Sequence, residues 1–196
     1  MESENTGYRQ ALELAQSALA AADPLAVAAN TGVHYHDGAY AIPWCGGVVQ
    51  FSHGSLHERI VWLHYMLARG PKMPSGRCVS YREIPGAAIY HDAFIRRNIR
   101  PMVNAYHTDP NAFLLAGRRI GAMPLDLGHA AFTVQALPYI PLTYILWQGD
   151  DEVPPGGNIL FDASAADWLC AEDLAVLAGL PLRRMTGARR RKTAHI

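Results

Sequence analysis

Three cysteines, Cys45, Cys78 and Cys170, are all that 196 residues carry, and no two of them form a CxxC pair. Such an odd, widely spaced set encodes neither a disulfide framework nor a cysteine-ligated cluster, and buried reduced thiols are the expectation. Charge is also scarce: 17% of the residues are charged, and 17 basic residues balance 17 acidic ones. The chain therefore has no global field to draw in nucleic acid or a membrane surface. No stretch approaches the roughly 20 apolar residues of a membrane span. The first residues, with Glu2 and Glu4, lack the basic region that opens a signal peptide. The sequence reads as cytoplasmic. GxSxG, P-loop and GxGxxG motifs are all missing, which argues against serine hydrolase, NTPase and dinucleotide chemistry.

What is present is a globular composition rich in turns, with half of the residues hydrophobic, 17 glycines and 13 prolines. Tyr8, Leu12, Ala15, Leu19 and Ala22 recur at helical spacing, and Asp23-Pro24 supplies a cap and a first-turn proline for a second helix. Together they predict an N-terminal helical hairpin. Two apolar runs over 40–51, joined at Gly46-Gly47, predict a β-hairpin. Ser55 and Glu58 have the spacing of a capping box, in which the serine oxygen accepts an amide and the glutamate reaches back to the cap. The helix that follows turns Leu56, Ile60, Leu63, His64 and Leu67 inward. Residues 77–82 read as a strand and 86–100 as a helix, which Pro101, having no amide to donate, must break or restart. Asp109-Pro110 opens another helix.

The last third changes character. Residues 130–136 alternate like a half-buried strand, 141–148 are apolar on both faces like a central one, and 158–162 make a third. Ser164 and Asp167 resemble a cap, and Glu172-Asp173 begin a final helix. Helices and strands interleave without a regular βαβ rhythm, so the expected class is α+β, a mainly antiparallel sheet with helices packed on it. Residues 1–182 are expected to form one globular domain. Residues 183–196, with Arg183, Arg184, Arg189, Arg190, Arg191 and Lys192, are expected to form a flexible basic tail.

Two ordered blocks carry a resemblance. The first is Leu63-His64-Tyr65, Pro74-Ser75-Gly76 and Ser80-Tyr81-Arg82-Glu83, with Gly86 and Tyr90. The second is Trp147 with Gly149-Asp150-Asp151-Glu152 and Pro154-Pro155, then Ile159-Leu160-Phe161-Asp162 and Glu172-Asp173. Over roughly residues 55–180 the chain resembles the uncharacterised prokaryotic family known as domain of unknown function 3786, with Val153 where the family pattern has an aromatic residue. The resemblance implies an association with anaerobic, corrinoid and one-carbon metabolism. Some members are described as iron–sulfur proteins, but their cysteine pattern is not in this sequence. The resemblance therefore carries no cluster ligand onto any residue here.

Several residues are candidates for chemistry. Asp150 and Glu152 sit in an acidic turn after an apolar strand, where carboxylates can hold a hard metal, take a proton or fix a cation. They can equally cap a solvated turn. His34 and His36 share one face of a strand and, with His57, are candidate metal ligands, although no metalloenzyme spacing completes the set. His64 faces inward, as a hydrogen-bonded core histidine or an axial ligand to a tetrapyrrole. Tyr65 and Tyr81 fit packing or hydrogen bonding. Arg82 and Glu83 fit an ion pair or an anion clamp.

Two functions stay open. One is a small cytosolic accessory domain that binds a tetrapyrrole or corrinoid cofactor, or a protein partner. It would use a pocket rimmed by His64, Tyr81, Arg82, Trp147, Asp150 and Glu152. The other is a metal-dependent hydrolase or lyase built on Asp150, Glu152, Asp162 and histidines. Neither reading expects nucleic acid or a membrane as partner.

Overall fold

A computed structural model describes the backbone of residues 2–193 and the side chains of residue 10 and residues 12–186. Helix α1 (Glu2–Ala20) buries Leu12, Ala15 and Leu19. Asp23 then caps α2 (Pro24–Thr31), accepting the Leu25 amide at 3.0 Å. A small antiparallel sheet follows, in the order β1 (His34–His36), β2 (Ala39–Trp44), β3 (Gly47–Gln50). Each of its two turns consists of a non-glycine residue and a glycine at positive φ: Asp37-Gly38 and Cys45-Gly46. The second hairpin therefore turns one residue earlier than the Gly46-Gly47 expected from sequence, because Trp44 pairs with Gly47.

Helix α3 (Leu56–Leu67) is the centre of the N-terminal half. Its capping box forms, with Ser55 N–H donating to Glu58 at 2.8 Å and Glu58 N–H to the Ser55 hydroxyl at 3.4 Å. Such a cap is worth about 1 kcal/mol. Val61, Trp62, Tyr65 and Met66 are buried as well as Ile60 and Leu63, because α1, α2 and a final helix, α7 (Ala171–Thr193), all pack against α3. Leu67, expected inside, is 37% exposed at the last turn.

The main sheet is five-stranded and antiparallel. Its order is β4 (Cys78–Ser80), β8 (Gly156–Asp162), β7 (Ile140–Trp147), β6 (Ala130–Leu137), β5 (Met123–Leu125). The α+β expectation is met. Strand β7 sits between β8 and β6 and is buried on both faces up to Ile145 and Leu146, as its two-sided apolar sequence requires. Strand β4 is shorter than expected from sequence: Tyr81 already belongs to a 3₁₀ turn, Tyr81–Glu83.

Of the two outcomes expected at Pro101, the restart is the one that occurs: a new α-helical segment begins at Arg100 with the proline in its first turn. Helix α4 (His91–Phe94) passes through a π-helical turn, Ile95–Ile99, directly into α5 (Arg100–Tyr106). The wider turn accommodates the missing proline amide, as a local bulge can. Helix α6 (Pro110–Arg118) then lies on β6 so closely that a Cβ on Gly117 would stand 2.7 Å from the Phe132 ring. At the C-terminus, α7 runs past Leu182, where sequence placed the end of the domain, and Met185 is buried. The side chains of Arg189, Arg190, Arg191 and Lys192, and residues 194–196, lie outside the described residues. Among the described residues no helix is long and apolar enough to cross a membrane.

Candidate functional site

The start of α7 gathers the side chains with the most chemical capacity. Asp173, in its first turn, is 12% exposed, and its Oδ2 lies 2.9 Å from Nδ1 of His64 on α3. The same oxygen accepts the Cys170 thiol at 3.2 Å. His64 is 38% exposed. The hydrogen bond to Asp173 raises its pKa above the usual imidazole value against an opposing push from burial, with Asp173 and Glu172 adding negative charge. A carboxylate on Nδ1 fixes the ring orientation and leaves Nε2 for a proton or a metal. Burial raises the Cys170 thiol. Sequence reasoning expected all three thiols to be buried, but only Cys45 is, while Cys78 and Cys170 are exposed.

Tyr81 reaches this same region. Its hydroxyl donates to the Ala171 carbonyl at 2.9 Å, and its ring stacks on Phe94 with centroids 4.0 Å apart. Burial pushes its pKa up to about 12, helped by Tyr90, Cys170 and Glu172 nearby. Tyr65 is buried, donates to the Thr31 carbonyl at 2.8 Å and packs on Trp168. Both tyrosine hydroxyls are thus satisfied by backbone, which is what packing residues do.

Asp162 ends β8 as a structural anion. It is 5% exposed and accepts five hydrogen bonds: the amide and hydroxyl of Ser75, the amide of Gly76, and the amide and hydroxyl of Ser164, all at 2.6–2.9 Å. Burial alone would raise its pKa; the bonds from Ser164 and Ser75 outweigh it and bring the carboxyl down to about 2. Asp162, not Ser164 or Asp167, caps the following 3₁₀ turn, Ala163–Asp167. It ties the Pro74-Ser75-Gly76 segment to the end of the sheet.

Glu83 accepts the Ser80 amide and hydroxyl, both at 2.7 Å, and so caps its own turn. These bonds lower its pKa. The Arg82–Glu83 ion pair weighed from sequence does not form, because the glutamate is turned back to Ser80, and Arg82 is exposed.

The acidic turn lies elsewhere. Trp147 pairs with Gly156 and Cys78 with Asp162, so the turn and Asp162 flank opposite ends of β8. At about 3.3 Å per residue they stand roughly 20 Å apart. Asp150 Oδ1 accepts the amides of Glu152 at 2.9 Å and Val153 at 2.7 Å, an Asx turn, and those bonds lower its pKa. Glu152 is exposed and contributes its amide, and Trp147 is 40% exposed. The side chains imagined around one pocket are engaged separately: His64 bonds Asp173 and Tyr81 bonds the Ala171 carbonyl, whereas Asp150 closes its own turn.

His34 and His36 do share the exposed face of β1, and His36 faces Asp37 at 3.5 Å. His57 lies on the first turn of α3. Among the described residues no three His, Cys, Asp or Glu side chains converge to hold a metal ion. The most telling members of the α7 cluster, Asp173 and Cys170, were not singled out from sequence as site residues. No local pattern links them to His64, since the pair is 109 residues apart.

No curated protein and no solved structure matches the chain. A family model described as domain of unknown function (DUF3786) matches residues 18–184, which extends the resemblance seen over 55–180 to the last residues of α1, to α2 and to the small sheet. With 18–184 covering most of the 196 residues and both blocks within it, the chain belongs to the family of this domain of unknown function.

Proposed function

We propose that the protein is a cytoplasmic accessory domain that presents His64 as the protein ligand to a tetrapyrrole or corrinoid, its own or a partner protein's, in anaerobic metabolism. The observation that carries this reading is the 2.9 Å bond between His64 Nδ1 and Asp173, which orients the ring and makes it a stronger donor at Nε2. A bare metal ion needs three or four converging protein ligands, and the described residues offer no such group. A macrocycle would supply ring nitrogens of its own, so one oriented imidazole, that of His64, would suffice as the protein's ligand. The donor set at the start of α7 fits that requirement. Asp173 holds the imidazole, while Tyr81 and Tyr65 stiffen the elements that carry the pair.

The test is titration of the purified protein with ferric haem and, separately, with a cobalamin whose upper and lower positions are exchangeable, followed by absorbance. The reading expects a one-to-one spectral change with one of them that His64→Ala abolishes and Asp173→Asn weakens. A change that is identical in His64→Ala, or no change with either, overturns it.

A further inference from the structure

A cavity of about 200 Å³ lies on the far part of α7, lined by Cys45, Ala116, Arg119, Ile120, Arg184 and Met185. It is eleven residues along α7 from Asp173, about 16 Å at helical rise, and shares no residue with the His64 cluster. Two arginines, both exposed, contribute to its lining. Arg119 follows the last turn of α6, and Arg184 comes from α7. The ion pairs among the described residues are His36–Asp37 and His64–Asp173, so no described carboxylate pairs with either arginine. Glu58 is close enough for Cys45 to feel its charge, but that carboxylate is engaged by the Ser55 amide at 2.8 Å.

The third wall is strained. Cys45 is buried and held at φ 45°, in the left-handed region that non-glycine residues rarely adopt. Strain of this kind persists only where the surroundings impose it, and it concentrates at binding sites. The surroundings here are explicit. Gly46, the next residue, packs on Gly121 so tightly that a Cβ on either would stand 2.6 or 2.5 Å from the other's Cα. That contact fixes the turn that delivers Cys45 to the cavity, whose lining it shares with Arg184.

We infer that Arg119 and Arg184 form a binding site for a phosphoryl group in the cavity between the end of α6 and the C-terminal half of α7. Planar guanidinium forks match phosphate oxygens two at a time, and two of them can hold the anion from two sides. The apolar walls, Ala116, Ile120 and Met185, strengthen that attraction by displacing water. The volume is below the roughly 300–1,000 Å³ of pockets for drug-sized ligands, which suits inorganic phosphate or the phosphate end of a small ester.

Calorimetric titration with inorganic phosphate, at an ionic strength held constant with chloride, tests the site. A phosphate monoester run in parallel distinguishes the free ion from an esterified source. The expected result is saturable one-to-one binding, weakened at least about tenfold by Arg119→Met or by Arg184→Met and lost in the double variant. Arg118→Met, which changes an exposed arginine outside the cavity, should bind like the natural protein. Arg184→Lys, which keeps the charge but not the fork, should fall between, and helical circular dichroism checks that each variant is folded. Absence of saturable heat with both ligands, or equal weakening by Arg118→Met and Arg119→Met, would overturn the inference.

Discussion

A single oxygen of Asp173 stands 2.9 Å from Nδ1 of His64 and 3.2 Å from the Cys170 thiol, and so joins α3 to the start of α7. The arrangement makes His64 a better proton acceptor than a free imidazole and gives the first turn of α7 a neighbour from the other half of the chain. Because the partners come from different elements, removing one affects both chemistry and packing. The two effects separate by pH.

His64 has a raised folded-state pKa, so its contribution to stability is complete below the unfolded value of roughly 6.5 and is lost as pH rises through the folded one. Asp173→Asn removes the acceptor that raises it. Urea unfolding should therefore separate the natural protein from Asp173→Asn more widely at pH 6 than at pH 9. A separation that does not change with pH would show that the carboxylate only packs.

Asp162 has the opposite sign. Its folded pKa of about 2 lies below the unfolded carboxyl value, so its contribution is complete above roughly pH 4 and disappears as pH falls toward 2. Asp162→Ala strands five donors from Ser75, Gly76 and Ser164 and should cost about 3 kcal/mol at pH 7. Asp162→Asn should lose the acid-sensitive part of the unfolding profile. Denaturant melts at pH 7 and pH 3 measure both.

Gly46→Ala and Gly121→Ala each place a methyl group against the other's backbone, at φ +73° and +76°. Each should destabilise by about 2 kcal/mol or more, since neither backbone can yield without moving its turn. The double variant should cost less than the sum, because the separation of the turns that admits one methyl also makes room for the other. Thermal unfolding of the three proteins gives the comparison, and full additivity would mean that the turns relax independently.

Thiol labelling should rank the cysteines. Cys78 and Cys170 are exposed, whereas Cys45 is buried and burial pushes its thiol up to about 12, despite the lowering influence of Arg184. Two thiols should react with an aromatic disulfide in the folded protein and the third only on unfolding. Three equally fast reactions would contradict the buried turn.

The elements that sequence predicted best were those written in neighbouring residues. The caps at Asp23, Ser55 and Asp109 all form, because each needs only a side-chain oxygen and an amide two or three positions on. The alternating and two-sided runs of β6 and β7 are visible for the same reason. β5 has three exposed residues and no periodicity to detect, and the π turn before Pro101 carries buried Asn98, whose partner, the Ala175 carbonyl on α7, is far away in sequence. Candidate residues divided along the same line. Asp150, Asp162 and Glu83 were conspicuous as charges, yet each is engaged by amides close by in space. Asp173 was legible as a helix-starting acid, but its role became visible only once folding brought α3 beside it.

Strand order also sets the timing of assembly on the ribosome. β8 lies between β7 and β4, and the Cys78–Ser80 edge has no partner until residues 160–162 have been made. The part of α3 that meets α7, which carries His64, stays uncovered longer still, because Asp173 and the rest of α7 are made last. Pairings this distant in sequence form slowly and leave apolar surface open to other chains in the meantime. A truncation that stops before α7 should therefore be a client for chaperones, and the last helix acts as the latch of biosynthesis.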